Sequence, residues 1–304
     1  MYTKKIIIVL YSILSFSLMA DYYVKEQKIY YEGYDHKNGK FINYDDEIKN
    51  IDLDSFEQLN PFYARDKNTV YFRGKETDID RNSIKIIRLN LVKDKNFVYY
   101  GDKKLKVSPK NFLFVNQKVS NGSIPTIHAG SIFYVKDSQN AYHVKVDKDE
   151  NIKETKLDNA DVGKLVSWNE ILAKDGKNIY YYGEKIGYID VSSFDGNGMG
   201  YGKDKNNHYY NVTIVKDADY KSFKEIKGYI NFAKDKYNVF YEDKIIKGAD
   251  KKSFEPLKNG FSKDKFGYFY KEQRLEGISY EDIKDFMNSF GLGDKKVPGY
   301  KYKE

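Results

Sequence analysis

The chain has 304 residues, 52 basic and 45 acidic side chains, a formal net charge of +7 and no cysteine. The lack of cysteine excludes disulfides as a source of stability, and the 30 tyrosines and 19 phenylalanines must supply burial instead, each ring covering on the order of 150–250 Å². Lysine is interleaved with acidic residues, and arginine, the fork that suits phosphate and base edges, is scarce, so no nucleic-acid face is expected.

Residues 1–20 have the plan of a secretory signal peptide. Lys4 and Lys5 give a positive start, Ile6 to Leu18 is almost wholly apolar, and Ala20 offers a small residue for cleavage before Asp21. The apolar run is short for a membrane span, and no later stretch approaches the ~18 apolar residues that a span needs. The expectation is an exported protein, in the periplasm, at the cell surface or secreted, with no membrane span after cleavage.

Residues 21–60 read as a degenerate first repeat. It has the aromatic run Ile29-Tyr30-Tyr31 and the block Asp52-Leu53-Asp54-Ser55-Phe56, but Lys25 stands where later copies have a turn Asp. Residues 61–290 form the repeat array. Its first block is an Asp followed four residues later by an apolar or small residue and then two aromatics, as in Asp66 with Val70-Tyr71-Phe72 and Asp235 with Val239-Phe240-Tyr241. Asp94, Asp175, Asp204 and Asp264 open further copies, and Asp137 a weaker one. The residue three before each Asp is bulky: Tyr63, Leu91, Tyr134, Leu172, Tyr201, Phe232 and Phe261. A second block, Asp-x-x-Ser-Phe, occurs at Asp190, Asp219 and Asp250, with Asp80-x-x-Ser-Ile and variants at Ser108 and Ser279. It follows the first block by 14 or 15 residues. The period is about 30 residues, with insertions around 113–170, and a fixed period of this kind marks a tandem array.

The runs Lys93–Tyr100, Lys203–Tyr210 and Lys234–Phe254 resemble the bacterial DKNYY repeat family over roughly residues 60–285. The resemblance implies exported bacterial repeat proteins and carries no assigned catalytic residue.

The first block reads as a β-hairpin. Asp and Asn favour the turn because their short side chains accept backbone amides, and Val, Tyr and Phe suit a pleated, buried strand. Alternation puts Val239 and Tyr241 on one face and Phe240 on the other, so both faces are apolar. A tight turn at Gly74, Gly101, Gly183 or Glu242-Asp243 then leads to a third strand, such as Lys244-Ile245-Ile246. Asp-x-x-Ser-Phe reads as a capped single turn that delivers its aromatic to the core. The last copy continues into a helix that caps the array, with Ser279-x-x-Asp282 as capping box and Ile283, Phe286, Met287 and Phe290 at helical spacing. Residues 291–304 read as a flexible tail. The fold class is therefore all-β, with tandem three-stranded meander units in an open stacked array, either solenoid or superhelix. A β-propeller is the alternative.

No catalytic, cofactor-binding or metal-binding residue emerges. Asp147-Lys148-Asp149-Glu150-Asn151 with Asp158 resembles a Ca²⁺ loop, but Ile152 replaces the glycine needed at the sixth position, so it reads as a solvated turn. His36, His128, His143 and His208 are scattered. Most tyrosines are explained by packing, and Trp168, Tyr182, Tyr188 and Tyr34 are the better contact candidates. The expected function is a non-enzymatic binding or scaffolding module with an envelope protein or glycan as partner. A glycan- or peptidoglycan-binding module and an enzyme on a propeller are the alternatives.

Overall fold

The computed structural model describes residues 21–35, 40–44, 47–115, 130–288 and 296–301. The signal segment, His36, His128, Phe290 and the side chain of Tyr34 lie outside the described residues. Among the described residues the structure is almost entirely β, with eight small antiparallel sheets and one α-helix, Tyr280–Asn288. None of the sheets closes into a barrel, and no described helix is long and apolar enough to cross a membrane.

Each sheet is a meander, and the seventh shows the rule. Its strands are Lys224–Ile226, Tyr229–Lys234, Val239–Tyr241 and Lys244–Ile245, each paired with the next. The hairpin expected at Asp235 joins the second and third of these. Most sheets carry a fourth strand ahead of the three expected, often only two residues long. In the third sheet it is Lys85–Ile86, both exposed. In the sixth, the three-stranded sheet gains a single bridge between Asp195 and Lys203 at the equivalent place.

Both faces of the central strands are buried, as alternation demands. Val239 and Tyr241 pack with Phe232, Ile246 and Phe269 of the next sheet. Phe240 packs the other way, with Tyr201, Val215 and Phe223 of the preceding one. Every central sheet therefore serves two apolar layers. The block aromatics Phe112, Phe194 and Phe223 are buried, and Phe254 lies between Phe232 and Phe269.

The chain divides into two compact units. The first comprises residues 1–111 with 125–131 and 146–152. In it the degenerate repeat builds a true sheet, Asp21–Lys25, Lys28–Asp35 and Lys40–Tyr44. The missing turn Asp is replaced by a two-residue connection in which Glu26 and Gln27 both take positive φ, the geometry that matches strand twist. The turn at 147–151 also belongs to this unit, where Glu150 grips Arg73 through two hydrogen bonds of 2.8 and 3.0 Å. Arg73 in turn lies over the rings of Phe62 and Phe72.

The second unit comprises residues 112–124, 132–145 and 153–304. Its end is closed by the expected helix, with Ile283 and Met287 buried and Ser279 donating through its N–H and Oγ to Asp282. Of the segment 291–304, expected to be a flexible tail, residues 291–295 and 302–304 lie outside the described residues and 296–301 are described. Val297 is buried, Tyr300 meets the Tyr270 ring edge-on at 4.9 Å, and the Gln273 side chain exchanges two hydrogen bonds with the Lys301 backbone. Residues 296–301 are part of the cap because those two apolar side chains fill the last layer beside the helix.

Phe240 has no exposed surface, so Phe240→Ala should cost about 3–5 kcal/mol. Ile230, 72% exposed, should change by less than about 0.5 kcal/mol on substitution by Ala. Urea unfolding of the two variants checks the contrast.

Candidate functional site

The signature residues converge, but on one another. Oδ1 of Asp66 accepts the N–H groups of Asn68 and Thr69 at 2.7 and 2.9 Å, which shapes the turn. Oδ2 accepts the N–H of Asp52 at 2.8 Å and the hydroxyl of Tyr71 at 3.1 Å. Asp94, Asp175 and Asp204 repeat this four-donor arrangement with Tyr99, Tyr180 and Tyr209. Burial pushes these carboxyls up, but the surrounding donors outweigh it and hold them below the ordinary range, Asp175 at about 2. Burial and the adjacent carboxylate raise the partner tyrosines.

The second block closes onto the turn that follows it, not the one that precedes it. Asp52 Oδ1 accepts from Ser55, whose Oγ accepts from the N–H of Lys67. The Lys67 ammonium returns to Asp52 Oδ2 at 2.6 Å. The same circuit joins Asp80 with Lys95, Asp190 with Lys205, Asp219 with Lys236 and Asp250 with Lys265. The contact partner of each second block is therefore the turn that comes 14 residues after it, or 16 between Asp219 and Asp235. One copy confirms the logic by departing from it. Lys164 stands where the serine belongs, and there the turn lysine is replaced by Gly176.

The other sequence candidates are dispersed. Asp147 caps its own turn by accepting from Asp149 and Asn151, while Glu150 is engaged by Arg73. Among the described residues no three His, Cys, Asp or Glu side chains gather as a metal site. His143 is buried in a strand against Tyr134, and burial lowers it to about 4. His208 stacks on Phe223. Trp168 is half-buried against Phe194 with the Lys174 ammonium 4.5 Å from its ring. Tyr188 donates to the Val212 carbonyl at 2.8 Å. Tyr182 remains on an exposed turn at φ 50°.

An open concavity lies elsewhere in the second unit. It is a groove of about 600 Å³ between Tyr229, Ile230 and Phe232 on one side and Leu257, Asn259 and Met287 on the other. Its outer wall is an insertion. The amide of a second-block Asp and the turn carboxylate that receives it are 14 residues apart in the other copies but 16 between Asp219 and Asp235. The two extra residues extend the strand Tyr229–Lys234 past a register shift at Glu225 and Ile226. They lift Ile230 into solvent. The floor is apolar, and Asn259 is spent on the helix carbonyl of Met287 at 2.9 Å. This spacing was present in the sequence and is the signal that would have located the groove.

Asp66, Asp94, Asp175 and Asp204 have pKa values below their unfolded value near 3.8. A depressed folded pKa gives stability that is complete above the unfolded pKa and lost as pH falls through the folded one. Stability should therefore be flat above about pH 5 and fall between about pH 4 and 2. Asp175 alone should account for roughly 2 kcal/mol of that loss. Asp175→Asn should lower stability at neutral pH and shallow the acid limb in denaturant titrations.

The DKNYY family matches this chain over residues 63–213 and 200–273. No curated protein and no solved structure matches it. The matched segments take in the turn circuits from Asp66 to Asp264, so repeat geometry and family agree: the chain belongs to the DKNYY family.

Proposed function

We propose that this repeat protein is exported and non-enzymatic, and that it binds a protein partner at the cell envelope through the groove beside Ile230. The observation that carries the reading is Ile230 itself, a β-branched apolar side chain 72% exposed on an insertion that the repeat does not require. An apolar side chain held in water by added chain, beside an apolar groove, suits burial against a partner's side chain. Export is supported by the lysine-led apolar segment before Ala20. The non-enzymatic reading is supported by the commitment of the repeated Asp, Ser and Lys side chains to one another.

A photo-crosslinking residue replacing Ile230 should trap one envelope protein in living cells, while the same probe at Tyr182 should not. An absent adduct, or the same adduct from both positions, would sink the groove reading. Fractionation should place the chain outside the cytoplasm with Asp21 as its first residue.

A further inference from the structure

At the opposite end of the strand Tyr229–Lys234 from the groove lies the row of Asp turns. The second residue after each turn Asp is polar in five copies: Asn68, Asn96, Gln139, Lys177 and Asn206. In the last two it is Tyr237 and Phe266, 68% and 69% exposed. The turn does not need these rings. Their N–H groups donate to Asp235 and Asp264 at 2.7 and 2.8 Å, the same service that Asn68, Asn96 and Asn206 perform. The turn geometry does not depend on the rings, which leave most of their apolar surface in water.

Each ring is accompanied by charge. The Lys236 ammonium lies 4.6 Å from the Tyr237 centroid, and that of Lys265 lies 4.8 Å from the Phe266 centroid. Lys251, on the loop between the two turns, donates to the Lys236 carbonyl. Lys234 and Lys252, in the same stretches of chain, are also exposed. The two turns belong to consecutive sheets of the array, so the rings recur one per sheet.

We propose that this edge binds an anionic polysaccharide, with the two rings as platforms for sugar faces. Lys236 and Lys265 stay paired with Asp219 and Asp250, so the exposed Lys234 and Lys252, outside those circuits, are the partners for its carboxylates or phosphodiesters. The rings are flat and open, without a pocket to read one terminal residue, and their repetition suits a polymer. The charges are lysine ammoniums, which meet carboxylate or phosphate without the fixed fork geometry that arginine imposes. A chain that reaches both rings gains from the second contact as an intramolecular event, so affinity should climb once the oligomer spans them. The inference is independent of the groove and of its partner.

The test uses the full chain with oligogalacturonates of increasing length, a phosphodiester-bearing wall polymer, neutral dextran and single-stranded DNA. Binding to the anionic glycans should rise with length, weaken with salt and exceed binding to dextran. Whichever polymer binds more tightly tells carboxylate from phosphodiester as the natural group. The double variant Tyr237→Asn, Phe266→Asn installs the residue type of the earlier turns, so its melting temperature should hold. Its affinity should fall roughly tenfold or more, the order expected for losing stacked rings. Unchanged affinity in that variant, equal binding to dextran, no binding to either anionic glycan, or preference for the DNA would each overturn the proposal. Crosslinking from position 230 is a separate readout and is unaffected by any of these results.

Discussion

The structure depends on a carboxylate buried in an aromatic stack. A charge without partners in that setting would cost several kcal/mol, and the turn Asp is tolerable because it collects donors from three places. Two amides come from its own turn, one from the block 14 residues earlier, and a hydroxyl from its own strand. The same group thus fixes turn shape, the junction with the preceding segment and the orientation of the strand. Where Phe269 removes the hydroxyl, the Arg274 guanidinium meets Asp264 instead, at 3.2 Å. At Asp235, where Phe240 removes the hydroxyl, the carboxylate accepts the N–H groups of Asp219, Tyr237 and Asn238.

Because the signature is consumed in this way, its repetition says little about what the protein touches. Ligand-facing groups must come from positions the circuit leaves alone. Three such departures stand out in the second unit: Ile230 on its insertion, and Tyr237 and Phe266 at positions the other turns fill with polar side chains. All three sit in the last two sheets, next to the helical cap.

Much of the fold was legible in the sequence because its determinants are local. Asp at a turn, alternating apolar residues and a capping box each act within a few residues, and Asp235 to Tyr241, Ser55 and Ser279 behave as their spacing suggests. The remainder was hidden for physical reasons. The leading strands are two residues long and exposed, as at Lys85–Ile86, and carry no period of their own. The link from Asp52 to Asp66 runs through a backbone amide, which any residue could supply, and its side-chain counterpart, the Lys67 ammonium on Asp52, is one lysine in a lysine-rich chain, so the direction of the contact does not stand out in the sequence. Val297 and Tyr300 are two apolar residues in a polar, glycine-bearing segment, too sparse for a pattern yet enough to fill one layer. The groove escaped because its clue is a spacing, 16 in place of 14, and not a residue type.

A second alternation bears on where those departures lie. The hydroxyl of Tyr63 reaches the carbonyls of Asn90 and Gly101, that of Tyr134 the carbonyl of Ile171, and that of Tyr201 the carbonyls of Asn231 and Glu242. Tyr22 does the same for Phe62. Each is the bulky residue three before the turn position, and each ties its sheet to the next by a directional bond. Phe232 holds that position in the seventh sheet and has no hydroxyl to offer. Its ring meets Tyr241 and Phe254, so this position contributes only apolar contact to the junction with the eighth sheet. Apolar contact is less directional than a hydrogen bond and tolerates small shifts. The groove opens along this junction, with Phe232 and Tyr241 on one wall and Leu257 to Gly260 facing them. Leu91 and Leu172 hold the same position without a hydroxyl, so the missing tie alone opens no cleft. At the seventh sheet it coincides with the two-residue insertion between Asp219 and Asp235, and a side chain seated in the groove would bridge the two sheets that Phe232 leaves without that bond.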